Sequence, residues 1–253
     1  MHLDRLMTVL EAVAVAGRPM SASELAEVTG LPRPTCYRLL QSLADQRLLD
    51  DPDGNSRYLV GERLIRIGLL GQSDVDVRHA AAPTMKEAAI EFGEAVFLSR
   101  FRNNGVDIIH VETPADPTRA YMHPGLGRRP MHACSCSKAI AAFAETAFQD
   151  DIVNGPLRAF TERTMVTPEE LRQEFADIQA RGYAECVEEI EVGVSSVAAP
   201  IRVGSLSATF SLGVTGPIRR FTKPYRAKIG KELIQLASKA GSAIRLHGAA
   251  DPP

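Results

Sequence analysis

Residues 21–48, SASELAEVTGLPRPTCYRLLQSLADQRL, constrain this chain more than any other stretch. Ser21 followed three residues later by Glu24 is a capping box, so a helix starts there. Leu25 and Val28 give that helix an apolar edge. Gly30 ends it, because glycine accepts the left-handed conformation of a helix C-terminus. Pro34 suits the first turn of a second helix, where its missing N–H leaves no bond unmade. Beyond it, Cys36, Leu39, Leu40 and Leu43 recur at helical spacing on one face, and Pro34, Thr35, Arg38, Gln41 and Ser42 fall on the other. Two short helices joined by a tight turn, the second with a polar outer face, are the sequence form of a helix-turn-helix. One side of such a recognition helix packs on its own domain and the other meets base edges and phosphates. A helical hairpin with a merely solvated face is the bland alternative, and the turn spacing and small outward residues favour DNA over it.

The flanks strengthen this reading. Leu3, Leu6, Met7, Leu10 and Val13 form an amphipathic helix able to pack behind the pair. Downstream, apolar runs at 48–50 and 57–60 enclose Pro52-Asp53-Gly54-Asn55, a hairpin signal. Three helices and a hairpin make a winged helix-turn-helix, with Arg57 on the wing placed to reach a minor groove or a phosphate. The candidate DNA-contacting residues are Ser21, Arg33, Pro34, Thr35, Tyr37, Arg38, Gln41, Ser42 and Arg57.

Charge argues the other way. The formal net charge is −2, and residues 1–75 hold eight arginines against ten acidic residues, with no lysine before Lys86. A module living on phosphate attraction should be basic. Binding here must rest on local arginines, specific contacts and dimerisation.

Length and composition set the remaining bounds. The 253 residues have room for two domains, and 45% hydrophobic content is enough for real cores. No run of about 18 apolar residues suggests a membrane span, and the acidic amphipathic start is unlike a signal peptide. Cysteines at 36, 134, 136 and 186 do not form a disulfide framework, which suits a reduced, cytoplasmic protein. Residues 62–72 read as a helix rich in Leu and Ile, and a boundary falls near residue 75. The expected division is a winged helix-turn-helix domain over 1–60, a linker over 61–75 and a second domain over 76–253.

In that second domain, helices are expected over 80–92, 137–145 and 224–246, and another from Thr167-Pro168-Glu169-Glu170 to Arg181-Gly182. Strands are expected over 95–100, 107–112, 192–203 and 206–214. The last alternates strictly, with Leu206, Ala208, Phe210, Leu212 and Val214 against Ser207, Thr209, Ser211 and Gly213. This mixture points to an α+β domain, an antiparallel sheet flanked by helices.

At this point the chain resembles the IclR family of bacterial transcription regulators, over nearly its whole length. The likeness rests on the helix-turn-helix and SRYLVGERLIRIG in the first half. In the second it rests on RRPMHACSCSKAI, RGYAECVEEIEVGVSSVAAP and Thr215-Gly216-Pro217. The resemblance implies a winged helix-turn-helix joined by a linker helix to a GAF/PAS-like effector-binding domain. It also implies a homodimer or homotetramer on double-stranded operator DNA, controlled by a small organic acid, aromatic acids included. A repressor of a catabolic operon is the preferred sense, with no catalytic residue, no cofactor, no metal and no membrane partner.

The resemblance places an effector pocket on Cys134, Ser135 and Cys136 ahead of a helix, on Cys186, on Val194 and Ser196, and on Gly213 and Thr215. Tyr121, Met122 and Leu126 are expected as apolar lining. A helix N-terminus suits a carboxylate, and residues two apart on a strand share a side. Cys186 stands where the family often has aspartate, Ser196 where cysteine is common, and Arg129 at a usually apolar position. Losing an acid and gaining an arginine favours an anion, and Gly213 is expected to leave space for a larger one.

Other readings of these residues remain open. Cys134, Cys136 and His132 could ligate zinc, although Cys-x-Cys is not the usual structural spacing. Thiol-redox sensing competes with plain packing. Ser135-Cys136-Ser137-Lys138 fits the S-x-x-K of serine hydrolases without the companion motifs. A thiol-dependent enzyme on a GAF-like domain is the alternative from another class. Glu188-Glu189, taken as strand neighbours, would point to opposite faces and so fit ion pairing better than acid–base work.

Overall fold

The computed structural model describes residues 2–116, 118–119, 123–202 and 208–247. The chain divides between Gly71 and Gln72 into two units.

In the first unit, α1 (His2–Ala16) precedes the pair α2 (Ala22–Thr29) and α3 (Arg33–Asp45). Ser21 caps α2: its hydroxyl accepts the Glu24 N–H at 3.4 Å, and the Glu24 carboxylate accepts the Ser21 N–H at 2.8 Å. Gly30 closes α2 at φ 71°, a conformation that costs glycine nothing. Pro34 lies in the first turn of α3. Val9, Leu10 and Val13 of α1, Leu25 of α2, and Cys36, Leu39, Leu40 and Leu43 of α3 form the core.

The wing is a minimal hairpin, β1 (Leu49–Asp50) and β2 (Leu59–Val60), extended by a bridge between Met20 and Tyr58. No tight two-residue turn joins its strands. The Asp51 carboxylate instead accepts the N–H groups of Asn55 and Ser56 at 3.2 and 2.8 Å and organises a longer loop. Helix α4 (Glu62–Gly71) ends the unit.

The second unit holds one antiparallel sheet, in the order β5 (Gly127–Arg129), β4 (Gly105–Glu112), β3 (Ala95–Arg102), β8 (Phe210–Pro217), β7 (Val194–Ile201), β6 (Ala184–Val187). Helices α5 (Asp74–Phe92) and α9 (Lys223–His247) pack together on the sheet, and α6 (Ser135–Ala141), backed by α8 (Pro168–Arg181), packs on β6, β7 and β8. A short α7 (Thr146–Val153) also adjoins α8. Among the described residues, no helix is long and apolar enough to cross a membrane.

Four departures from the sequence expectation have a local reason. Helix α5 starts at Asp74 rather than 80, because Ser73 caps it by accepting the Asp76 N–H at 3.2 Å. Helix α6 starts at Ser135 rather than Ser137, with Cys134 at its N-cap. Strand β8 runs to Pro217, and its alternation does not mark a solvated face, since every residue of it is buried. Phe210, Leu212 and Val214 occupy one side. Ser211, on the other, donates its hydroxyl to the Cys136 carbonyl of α6 at 3.4 Å. Glu188 and Glu189 lie beyond the end of β6, with Glu188 at φ 58°, so strand alternation does not govern them.

The Glu24 carboxyl is held down to about 2 by the Ser21 N–H, then by Arg18 and the Ser21 hydroxyl, with Arg57 adding its charge. A carboxyl depressed in the fold stabilises it above the unfolded value of about 4.3, and that contribution is lost as pH falls towards the folded value. The stability gap between wild type and Glu24→Gln should therefore be full above about pH 5 and should close towards pH 2. Urea denaturation of the full chain at a series of pH values measures it, and a gap that widens in acid would contradict the assignment.

Candidate functional site

The outer face of α3 forms one wall of a surface concavity. Arg33, Pro34, Tyr37 and Arg38 line it together with Ser21, Ala22 and Ser23 at the start of α2 and Asn55, Ser56 and Tyr58 of the wing. Arg33, Pro34, Tyr37 and Arg38 are exposed, as is Ser42, and Thr35 and Gln41 are half-buried. Several expected contact groups are already engaged. The Ser21 hydroxyl caps α2, and the Gln41 amide donates to the Tyr58 hydroxyl at 2.7 Å, tying α3 to the wing. Arg57 donates to the Pro19 carbonyl at 2.9 Å and pairs with Glu24, so it lies back along α2 instead of reaching out from the wing. Ser23, Asn55 and Ser56 join the face without having been expected there. The polar run after Asp53-Gly54 was the only sequence signal for Asn55 and Ser56.

The second unit contains a cavity of about 420 Å³ lined by Phe97, Ile108, His123, Pro124, Arg129, Cys134, Cys186, Ile190, Glu191, Val194, Ser196 and Thr215. Chain geometry explains the convergence. Cys186 and Ser196 are register partners on β6 and β7, and Ser196 pairs in turn with Thr215 on β8. Arg129 ends the edge strand β5, and Cys134 caps α6 above the sheet.

Ser135, Cys136 and Gly213 lie behind this wall. The Ser135 hydroxyl is 2.7 Å from that of Ser196, and Cys136 is fully buried with its sulfur 3.3 Å from that of Cys134. Gly213 leaves no room for a larger ligand, which corrects the sequence expectation. A Cβ there would sit 2.2 Å from the ring of Phe97, its register partner on β3, so the aromatic ring already occupies that space. Leu126 is also corrected: it is 64% exposed and does not line the cavity. The adjoining turn is held by the Arg129 guanidinium, which donates to the Pro124 and Gly125 carbonyls. The His123 imidazole accepts the Gly125 N–H, and His123 and Pro124 thereby take the lining position. Tyr121 and Met122 lie outside the described residues.

Arg129 brings positive charge to the cavity wall. Its Nε is buried without a hydrogen-bond partner, and no carboxylate pairs with it among the described residues. Burial, then the Glu189 charge, pushes the Cys186 thiol up to about 12, so it stays protonated. His132 faces away from the thiols, with Nε2 at 2.9 Å from the Arg158 carbonyl and its ring stacked on Phe160. Lys138 bonds Glu189 rather than Ser135, which leaves the S-x-x-K match without its serine–lysine contact. Phe97, Ile108, Ile190 and Glu191 line the cavity without any sequence signal beyond their strand or loop position.

Two family models match the chain. The IclR helix-turn-helix domain covers residues 2–52, and the C-terminal domain of the bacterial transcriptional regulator IclR covers residues 72–242. The glycerol operon regulatory protein of Streptomyces coelicolor is 27% identical over 242 residues, 96% of this chain and 94% of its own length. The protein of the same name from Streptomyces griseus is 31% identical over 222 residues, 86% and 85% of the two chains. Among solved structures, an IclR homolog from Microbacterium hydrocarbonoxydans complexed with 4-hydroxybenzoate matches with a TM-score of 0.58 at 22% identity. That match covers 99% of this chain and 100% of the other.

The contact between Gly213 and Phe97 makes a direct prediction. Gly213→Ala should destabilise the second unit by about 1–3 kcal/mol through overpacking, and Phe97→Leu in the same chain should recover part of that loss. Denaturant unfolding of the two variants measures this, and a neutral Gly213→Ala would refute the contact.

Proposed function

Because the chain belongs to the IclR family of bacterial transcriptional regulators, we propose that it represses a catabolic operon in the cytoplasm under the control of a small organic acid. It binds DNA through the helix-turn-helix and regulates transcription. The operator is read by the exposed face of α3, with Arg33 and Arg38 supplying charge and Thr35, Tyr37 and Ser42 shaping the contact. Ser21, Gln41 and Arg57 act there by holding α2, α3 and the wing in place. Near-neutral charge over residues 1–75 implies that affinity comes from paired half-sites, and hence from a homodimer or tetramer. Residues 61–75 would link the two functions.

The observation that carries the effector reading is Arg129, an arginine with no carboxylate partner among the described residues, on the wall of a cavity of ligand size. Apolar Phe97, Ile108, Ile190 and Val194 favour a ligand with a hydrophobic body, and Ser196 and Thr215 offer hydroxyls. The complex of the Microbacterium homolog with 4-hydroxybenzoate supports an aromatic carboxylate as the first candidate. The filled space at Gly213 favours one ring over a larger ligand.

Two measurements test this. Arg38→Ala should weaken binding to DNA upstream of the chain's own gene by about 5- to 150-fold if it reads a base, or weaken all sequences alike and lower the salt slope by about one if it meets a phosphate. Gel shifts at several salt concentrations distinguish the two, and unchanged binding would remove Arg38 from the interface. Calorimetry against benzoates, aliphatic acids and their amides should show carboxylates preferred, with Arg129→Leu weakening carboxylates by about tenfold more than it weakens the amides. Preference for a neutral or cationic ligand would overturn the effector class.

A further inference from the structure

Three of the four cysteines gather at the cavity, and two of them touch. Cys134 and Cys186 line it, and the Cys134 and Cys136 sulfurs stand 3.3 Å apart at the start of α6. A disulfide needs about 2.05 Å between sulfurs, so about 1.3 Å of approach would close the bond. Cys136 is fully buried, so any reagent from the cavity meets Cys134 first.

We propose that Cys134 and Cys136 form a dithiol site that an organic hydroperoxide, admitted by the cavity, oxidises to an intramolecular disulfide. This stands apart from the carboxylate reading, since it uses the sulfurs and not the Arg129 anion contact.

The electrostatics favour it. Burial opposes a thiolate at Cys136, but hydrogen bonds from Cys134 and Ser137, with the charge of Arg129, help outweigh it and hold that thiol below its ordinary value. The hydrogen bond with Cys136, and burial, push Cys134 well above. Cys136 is thus the more acidic of the two; it ionises first, and its thiolate takes the Cys134 proton as Cys134 reacts. The Cys134 sulfur attacks the distal peroxide oxygen. The S–O bond forms and the O–O bond breaks, and the alkoxide leaves as the alcohol with the proton relayed by Cys136. The Cys136 thiolate then attacks the Cys134 sulfenic acid. The S–S bond forms, the S–O bond breaks, and hydroxide leaves as water on taking a proton from solvent. The dithiol loses two electrons and the peroxide gains them. Phe97, Ile108, Ile190 and Val194 on the walls favour an organic peroxide over hydrogen peroxide.

The test treats the intact full-length protein with cumene hydroperoxide, then counts thiols after denaturation and maps peptides by mass spectrometry. The expected result is a fall from four free thiols to two, reversed by dithiothreitol. The disulfide should lie within the peptide holding Cys134 and Cys136, while Cys36 and Cys186 stay reduced. Cys36→Ser should react as wild type does, and Cys134→Ser should not form the bond. Hydrogen peroxide at equal concentration should act at least tenfold more slowly. Four thiols remaining, a bond to Cys186 or between chains, over-oxidation without a disulfide, or equal rates with hydrogen peroxide would each overturn the proposal. Mapping of the wild-type protein decides the matter even if Cys134→Ser fails to fold.

Discussion

The effector-domain cavity depends on one buried ion pair. The Lys138 ammonium, fully buried in α6, donates to both Glu189 carboxylate oxygens at 2.7 and 2.8 Å. Glu189 is itself buried, in the turn between β6 and β7, and Thr164 donates its hydroxyl to the Glu189 carbonyl at 2.6 Å. Glu174 of α8 stands 3.5 Å from Lys138 and is paired with Arg181. One charge cluster therefore joins α6, α8 and the β6–β7 turn, the elements that carry Cys134 on one side of the cavity and Cys186, Ile190 and Val194 on the other. Burial raises the Glu189 carboxyl above its ordinary value, against the pull of Lys138. Losing one partner of such a pair costs about 3–5 kcal/mol, because the other is left charged and dry.

Around that anchor the sheet does two different jobs with its two faces. Phe210, Leu212 and Val214 of β8, with Val197, Ala199 and Ile201 of β7, supply packing surface on one side. The other side is small or polar at Ser196, Ala198, Ser211, Gly213 and Thr215. Small residues there let α6 come close. Large ones on neighbouring strands, Phe97 and Ile108, then shape what space remains. A cavity persists because the residues of α6 nearest the sheet are serines and cysteines, too short to fill it.

The first unit solves a different problem with little net charge. Glu24 links the start of α2 to Arg18 and to Arg57 of the wing segment, and Gln41 links α3 to Tyr58. These bonds fix the wing against the helices and use up polar groups that a sequence reading assigns to nucleic acid. Arg33 and Arg38 are left exposed on α3. A near-neutral module with Arg33 and Arg38 exposed on α3 is suited to specific contact more than to general attraction for phosphate.

The helix-turn-helix and its core were legible because caps and helical periodicity are local: Ser21, Glu24, Gly30 and Pro34 act within a turn of themselves. The same holds for Thr167 and Gly182 at the ends of α8. Family likeness pointed to Cys134, Cys186, Val194, Ser196 and Thr215, and the fold brings these to one cavity with Arg129. The rest was decided by contacts between segments far apart in sequence. Phe97 fills the space that Gly213 alone suggests, Arg129 turns His123 inward and leaves Leu126 in solvent, and Glu189 finds Lys138 across 51 positions. Local hydrogen bonding and periodicity thus determine which elements form and which faces they hide. Which side chains share a void, and which charges meet out of water, follows only when the strands pair and α6 settles on them.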